Sequence, residues 1–294
     1  IEVVTNIDDD HMSTYQGDFE RLTDTFLRFV HNLPFYGLAV LCADDPAVQR
    51  MRARILRPVV SYGIETPADY NAVNVTQSGS RMQFDTTTAD GEVFSVDLAL
   101  PGLHNVRNAL AAIAVADKVG IKTQAIVNGL RKFSGIDRRF EILGDIRLPD
   151  GKALLVDDYA HHPTEIAATL SAAKGCWPDR RKVIVFQPHR FSRTRDLMDD
   201  FSSLLSDVDC LLVTEVYAAG ERPAASADGR ALCRSIRVRG GVDPVFAPNI
   251  DRLRETLLPL LQADDIVLTL GAGSIGKAAR ELISPMHLCE ESFG

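Results

Sequence analysis

Ala153-Leu154-Leu155-Val156-Asp157-Asp158-Tyr159-Ala160-His161-His162-Pro163-Thr164-Glu165-Ile166-Ala167-Ala168-Thr169-Leu170 runs from an apolar segment through a polar cluster into a second apolar-rich segment. The first four residues read as a buried strand, and Ile166 to Leu170 read as a helix. Two carboxylates, a phenol and two imidazoles therefore sit where a strand ends and a helix begins. In open α/β sheets that carboxyl edge is where ligands bind. Burying such groups for structure alone is costly, because each needs its own partner. The competing reading is a strand cap, with Asp157 or Asp158 turning the chain and both imidazoles in solvent.

Downstream, the same grammar repeats. Strands are expected at Lys182 to Phe186, Cys210 to Val213, Val245-Phe246 and Ile266 to Leu270. Helices are expected at Thr194 to Leu205, Asp228 to Arg237, Ile250 to Gln262 and Ile275 to Ile283. Upstream, Phe140 to Leu148 and Lys152 to Val156 are two strands joined by Pro149-Asp150-Gly151. Strand–helix alternation of this kind implies a mostly parallel α/β sheet with helices on both faces.

Before Ser134-Gly135-Ile136-Asp137, which reads as a linker, the texture differs. A short strand, Ile1 to Ile7, ends in Asp8-Asp9-Asp10-His11. A helix follows at Asp18 to Val30 with Asp18 as N-cap, then a strand at Leu38 to Cys42, then a helix opened by Asp45-Pro46. From Val59 to Leu100 polar and β-branched residues alternate, with Asp90-Gly91 as a hairpin turn, so a small antiparallel sheet is expected. Asn105 to Val119 and Thr123 to Phe133 are helices. Two domains result, residues 1–136 and 137–294. Ile1 is not Met, and Glu2 to Asn6 reads as a strand already under way, so an upstream part of the polypeptide is expected to be missing.

The 294 residues carry a net charge of −8, with 46% hydrophobic and 24% charged side chains. Such a chain has no general attraction to nucleic acid or an anionic membrane. No apolar run approaches the roughly 18 residues of a membrane span, and no signal peptide is visible. Five scattered cysteines without a C-x-x-C argue against a disulfide scaffold or zinc site and fit a reducing cytoplasm.

Polar clusters close several strands. Gln187-Pro188-His189-Arg190-Phe191-Ser192-Arg193-Thr194-Arg195 follows one, and Glu215-Val216-Tyr217 another. In a parallel sheet, His161, His162, His189, Arg190, Arg193 and Arg195 would share one edge. Arginine suits carboxylate or phosphate through its planar fork, so an anionic ligand is expected. The alternative is a solvated loop whose arginines pair with Asp196, Asp199 and Asp200. Gly271-Ala272-Gly273-Ser274-Ile275-Gly276-Lys277-Ala278 fits G-x-G-x-x-G and nearly fits a P-loop. Ala278 stands where a P-loop needs Ser or Thr, and too little chain follows Gly276 for a dinucleotide fold. It reads as a tight turn packing the last helix.

Taken in order, Thr5-Asn6-Ile7-x-x-Asp10-His11-Met12, Gly102-x-His104-Asn105-x-x-Asn108, Arg138-Arg139-Phe140, Asp157 to Glu165 and Gln187 to Thr194 resemble the Mur ligases. The likeness spans nearly the whole chain, and its last two motifs are similar to the branch that adds L-alanine. The resemblance implies a UDP-binding domain, a central P-loop-type ATPase domain and a Rossmann-like C-terminal domain. Residues 1–136 would be the remainder of the second, without its P-loop, and 137–294 the third. The implied reaction joins L-alanine to the carboxylate of UDP-N-acetylmuramate, using ATP and Mg²⁺ through an acyl phosphate. This is a cytoplasmic step of peptidoglycan synthesis, for which the fragment alone is expected to be inactive.

By the same resemblance His11 would ligate Mg²⁺. His104, Asn105 and Asn108 would meet adenine, Arg138 or Arg139 the phosphates, and Asp158 the ribose. Tyr159, His161, His189, Arg190 and Arg193 would surround L-alanine, with His161, Arg190 and Arg193 the catalytic candidates. No general base is singled out, since the acyl phosphate itself could take the proton. Two other readings stand beside it: a ligase of the same superfamily that recycles murein peptides, and a dinucleotide-binding oxidoreductase built on Gly271 to Gly276.

Overall fold

The computed structural model describes residues 1–9 and 12–283. The chain divides into one unit of Ile1–Ser134 with Ser171–Cys176 and a second of Gly135–Leu170 with the residues from Trp177 onward.

The first unit contains β1 (Glu2–Val4), α1 (Phe19–His31), β2 (Ala39–Cys42), α2 (Pro46–Arg52), β3 (Val59–Gly63), β4 (Tyr70–Ser78), β5 (Arg81–Thr87), β6 (Val93–Leu98), α3 (Leu103–Lys118) and α4 (Thr123–Lys132). Both expected caps form. The Asp18 carboxylate accepts from the Glu20 and Arg21 amides, and that of Asp45 from the Val48 amide at 2.7 Å, with Pro46 in the first turn. One six-stranded sheet runs β1-β2-β3-β4-β5-β6. The strands β1 to β4 pair in parallel and β4 to β6 antiparallel. The antiparallel strands thus continue the parallel ones instead of standing apart. Asp69 makes the join, because its carboxylate accepts from both the amide and the hydroxyl of Ser61, each at 2.7 Å.

Burial follows the strand type. All of β2 is buried, as befits a parallel strand covered on both faces, whereas β5 buries alternate residues Met82, Phe84 and Thr86. One core sets Val106, Leu110 and Ile113 of α3 with Tyr62, Tyr70, Phe84 and Leu98. Another sets Leu22 and Val30 of α1 and Val48 and Met51 of α2 with Val4 and Leu41.

The second unit contains β7 (Glu141–Leu148), β8 (Gly151–Asp158), α5 (Pro163–Cys176) as far as Leu170, β9 (Lys182–Phe186), α6 (Phe191–Asp196), α7 (Met198–Leu205), β10 (Cys210–Thr214), α8 (Gly229–Arg239), β11 (Val245–Ala247), α9 (Leu253–Leu257), β12 (Ile266–Leu270) and α10 (Ile275–Ile283). Its sheet runs β11-β10-β9-β12-β8-β7, parallel except for β7 against β8. From β9 the chain leads through α6 and α7 to β10, whereas α10 after β12 packs on β7 and β8. The crossovers therefore diverge between β9 and β12, and that is where a crevice for ligands opens in such sheets.

Two expected helices come out differently. Residues 250–262 form a 3₁₀ turn, α9 and a second 3₁₀ turn at Leu258–Leu260, since Pro259 has no amide to continue the ladder. The expected Thr194 to Leu205 helix starts at Phe191 and breaks at Leu197. The early start has a tertiary cause. Glu221 accepts from the Ser192 amide at 2.9 Å and its hydroxyl at 2.6 Å, holding the first turn. Among the described residues no helix is long and apolar enough to cross a membrane.

Candidate active site

The end of β8 is held by its two aspartates. Asp157 is fully buried. Its Oδ1 accepts from the Thr269 hydroxyl at 2.7 Å and its Oδ2 from Arg138 Nε at 2.8 Å. Arg138 also donates through Nη2 to the Gly271 carbonyl at 2.6 Å, tying the ends of β8 and β12 together. Asp158 accepts from the Ala160 amide at 2.9 Å, the Phe140 amide at 3.1 Å and the Thr169 hydroxyl at 3.0 Å. Burial pushes its carboxyl above the ordinary value, outweighing the bonds from Ala160 and Thr169 that pull it down. A carboxylate has about four acceptor positions, so three bonds leave room for one more donor.

Glu165 then closes the loop. It accepts from the amides of His161 at 2.9 Å and His162 at 3.2 Å while Pro163 opens α5. This is the acidic half of a capping box. His162 is buried at this helix start.

Four rings line up across the carboxyl ends. Tyr159 and His161 meet edge to face at 5.4 Å, His161 and His189 at 5.6 Å, and His189 stacks on Tyr217 at 5.5 Å. The backbone sets this spacing. The Tyr217 amide donates to the Pro188 carbonyl at 2.8 Å, and the Arg190 amide to the Tyr217 carbonyl at 2.9 Å, so the loops after β9 and β10 run as a short parallel bridge. Arg190 takes a left-handed φ of +71° there and is exposed. Arg193, one turn on, is buried and places Nη1 3.3 Å from His189 Nδ1. The Arg138 and Arg139 guanidinium carbons lie 5.1 and 5.6 Å from the Tyr159 ring centre. The His189 imidazole is pushed down to about 4, first by burial, then by the neighbouring His161, Arg193 and Arg190. It is therefore neutral near pH 7.

Of the residues expected on this edge, Tyr159, His161, His189 and Arg193 come together, with Arg190 at the rim. Arg195 does not join them and forms an exposed pair with Asp196 at 2.8 Å, as the solvated alternative held for it. The glycine-rich turn after β12 is filled by the protein's own side chains. Gln187 Oε1 accepts from the Ile275 amide at 2.9 Å, and Gln187 Nε2 donates to Ser274 Oγ at 3.1 Å. A Cβ on Gly276 would lie 2.3 Å from Arg138 Nε. These contacts are those of a tight turn packed by Gln187 and Arg138 at the start of the last helix.

In the first unit His104, Asn105 and Asn108 lie in the opening turns of α3. Gly102 precedes them at φ +93°, and a Cβ there would lie 2.7 Å from the His104 ring. Asn105 Nδ2 donates to the Pro101 carbonyl at 2.8 Å. Arg107 anchors the same turn. Its Nε donates at 2.8 Å to Asp44, whose carboxylate also takes the amides of Ile64, Glu65 and Thr66. His11 lies outside the described residues. Asp8 and Asp9, just before it, line an open cavity of about 680 Å³ with Ile7, Phe19, Asp45 and Arg50.

Tyr217, Gln187, Glu165 and Glu221 were not among the expected site residues. Tyr217 follows a buried strand, the signal that singled out His161 and His189. The partners of Gln187 and Glu221 are distant in sequence and leave no local trace.

The family model described as "Mur ligase middle domain" matches residues 1–116, and "Mur ligase, glutamate ligase domain" matches residues 138–273. A UDP-N-acetylmuramate–L-alanine ligase from Halorhodospira halophila is 55% identical over 279 residues, which are 95% of this chain and 57% of that protein. The crystal structure of a UDP-N-acetylmuramate–alanine ligase from Thermotoga maritima superposes with a TM-score of 0.72 at 27% identity, over 96% of this chain and 58% of that one. A MurF ligase from Thermotoga maritima, solved in complex with ADP, shares the fold with a TM-score of 0.71 at 16% identity, over 95% of this chain and 60% of that one. The chain thus spans little more than half the length of these relatives. With two models of one family together matching most of its residues, the chain belongs to the Mur ligases.

Proposed function

We propose that the chain is the middle and C-terminal part of an ATP-dependent ligase joining L-alanine to the carboxylate of UDP-N-acetylmuramate, in the cytoplasm, during peptidoglycan synthesis. The observation that carries this reading is the gathering of Tyr159, His161, His189 and Arg193 at the divergence of the crossovers, beside Arg190. It is a polar cluster with cations for a carboxylate and imidazoles for an amine. The relative from Halorhodospira halophila supports the choice of substrates. Residues 1–136 and 137–294 are the proposed domains, the first the remainder of an ATPase domain.

The proposed chemistry has two stages. The muramate carboxylate attacks the γ-phosphoryl group of ATP, giving an acyl phosphate and ADP. The alanine amine then attacks the acyl carbon, and phosphate leaves. Both reactants are anionic, so cations must offset repulsion and developing charge. Arg193 and Arg190 take the alanine carboxylate. Arg139, exposed, and the unused donors of Arg138 face phosphate. Asp158 offers its remaining acceptor position to a ribose hydroxyl. His104 and Asn108, with Asn105 fixing their turn, meet adenine.

Asp8 and Asp9, which precede His11 in the sequence, are oxygen donors of the kind that Mg²⁺ prefers. His11 is the proposed protein ligand, and the ion when bound supplies Lewis-acid charge against the phosphoryl oxygens. The test is ADP release by a polypeptide carrying this chain with its P-loop. Release requiring both UDP-N-acetylmuramate and L-alanine is expected. Release independent of L-alanine, or satisfied only by a peptide, overturns the reading.

A further inference from the structure

The loop after β10 grips the start of α6 on both sides of Arg190. Before it, the Tyr217 amide donates to the Pro188 carbonyl at 2.8 Å, and the Tyr217 carbonyl accepts from the Arg190 amide at 2.9 Å. After it, Glu221 Oε2 accepts from the Ser192 amide at 2.9 Å and Oε1 from the Ser192 hydroxyl at 2.6 Å. The Arg190 carbonyl is used as well, by the Thr194 amide at 3.1 Å and the Thr194 hydroxyl at 2.9 Å. Both backbone polar groups of Arg190 are therefore bonded, while the residue stays exposed.

The conformation held in this way is one that arginine avoids. Arg190 has φ +71° and ψ +135°, a region that residues with a Cβ seldom occupy. Such a residue persists only where its surroundings over-determine it, and such residues gather at ligand clamps. Glu221 is itself delivered by a tight turn. Its amide donates to the Ala218 carbonyl at 3.0 Å, with left-handed φ of +48° at Ala219 and +85° at Gly220 between them. Burial would raise the Glu221 carboxyl, but the two Ser192 bonds and then the Arg190 charge hold it below its ordinary value. It is therefore an anion near pH 7, able to accept both bonds.

We infer that Glu221 is a positioning residue for the amino-acid substrate: acting through Ser192, it holds the Arg190 backbone in the conformation from which the guanidinium meets the substrate carboxylate. The inference rests on the ligase reading above, in which Arg190 takes that carboxylate. Fixing the base of a long side chain before its ligand arrives cuts the ordering cost of binding. Loss of the clamp should thus weaken capture of the amino acid and leave nucleotide and muramate binding alone. A plain helix cap would instead lower stability with no preference among substrates.

Two experiments test this. Amide hydrogen exchange of this chain reads the clamp directly. The Ser192 amide is expected to be protected in wild type and to exchange about tenfold faster or more in Glu221→Ala, and unchanged exchange overturns the clamp. The second experiment is steady-state kinetics of the polypeptide that carries its P-loop. Glu221→Ala is expected to raise KM for L-alanine by about tenfold or more, the worth of a charge-assisted pair, with KM for ATP and for UDP-N-acetylmuramate within about twofold of wild type. Ser192→Ala loses only the hydroxyl bond and should show the same selectivity with a rise of about threefold, which keeps the test alive if Glu221→Ala folds poorly. Glu221→Gln still accepts from the Ser192 amide and can donate to the Ser192 hydroxyl, so its KM for L-alanine should stay within about threefold of wild type. In an Arg190→Ala background, Glu221→Ala should add less than about threefold to the loss of kcat/KM for L-alanine, since the side chain it acts through is already gone. Equal rises in all three KM values, a glutamine variant as impaired as the alanine one, or losses that multiply in the double variant sink the inference while the wild-type requirement for L-alanine stands. A wild-type protein that needs no L-alanine removes the ligase reading and the inference with it, and leaves the clamp as read by exchange.

Discussion

His189 shows how one residue can be tuned by its neighbours. Its ordinary pKa is about 6.5, and burial with the nearby His161, Arg193 and Arg190 lowers it to about 4 in the fold. Between those values the unfolded chain binds a proton that the folded chain refuses. Stability from this group is thus complete above about pH 6.5 and falls as the pH drops towards 4. Glutamine at 189 cannot titrate. Denaturant unfolding at pH 7 and pH 5 should show a smaller loss of stability for His189→Gln than for wild type, and an equal loss would show that the imidazole is not held neutral. Asp158 is tuned the other way. Its burial raises the carboxyl, although the Ala160 and Phe140 amides and the Thr169 hydroxyl all favour the charged form.

At the scale of elements, the turn between β12 and α10 is packed by side chains from other strands. A Cβ on Gly273 would lie 2.5 Å from Gln187 Oε1 and 2.6 Å from the Tyr217 ring. Gly273→Ala should therefore push Gln187 off the Ile275 amide and cost about 1–3 kcal/mol, the range for overpacking a filled site. Gly129 in α4 has nothing within 4 Å of its Cβ position. Gly129→Ala should instead stabilise by about 0.5–1 kcal/mol through helix propensity. Chemical denaturation of both variants checks the contrast, and equal effects would contradict the packing described.

These elements also mark how far local pattern reaches. The caps at Asp18 and Asp45, the Asp90-Gly91 hairpin, and the strands Lys182 to Phe186 and Ile266 to Leu270 form where the sequence places them. They depend on bonds within a few residues or on the solvent pattern of one strand. The start of α6 and the fragmented 250–260 segment were misplaced. The first depends on Glu221, far along the chain, and the second on how Pro259 interrupts an otherwise periodic run.

Across the whole molecule each unit has its own apolar interior. Leu110 of α3 is fully buried among Tyr62, Tyr70 and Phe84. Leu110→Ala should cost about 2–5 kcal/mol, as buried leucine truncations do. A loss under 1 kcal/mol in denaturant unfolding would mean that this face of the sheet is not closed as described.

The sequence by itself determined the α/β class, the strand ends that carry polar clusters and the motifs of the family. Side-chain periodicity, turn chemistry and residue type are properties of short segments, and short segments are legible without coordinates. Only the tertiary structure decided which groups of those clusters lie together. It brought Tyr217 against His189, sent Arg195 to Asp196, and filled the glycine-rich turn with Gln187 and Arg138. It also set the two imidazoles against different neighbours, the Tyr159 carbonyl for His161 and the Arg193 guanidinium for His189. The physical reason is that a ring's tautomer and charge depend on atoms within about 3 Å of its nitrogens. Those atoms are fixed by how strands β8, β9, β10 and β12 lie side by side.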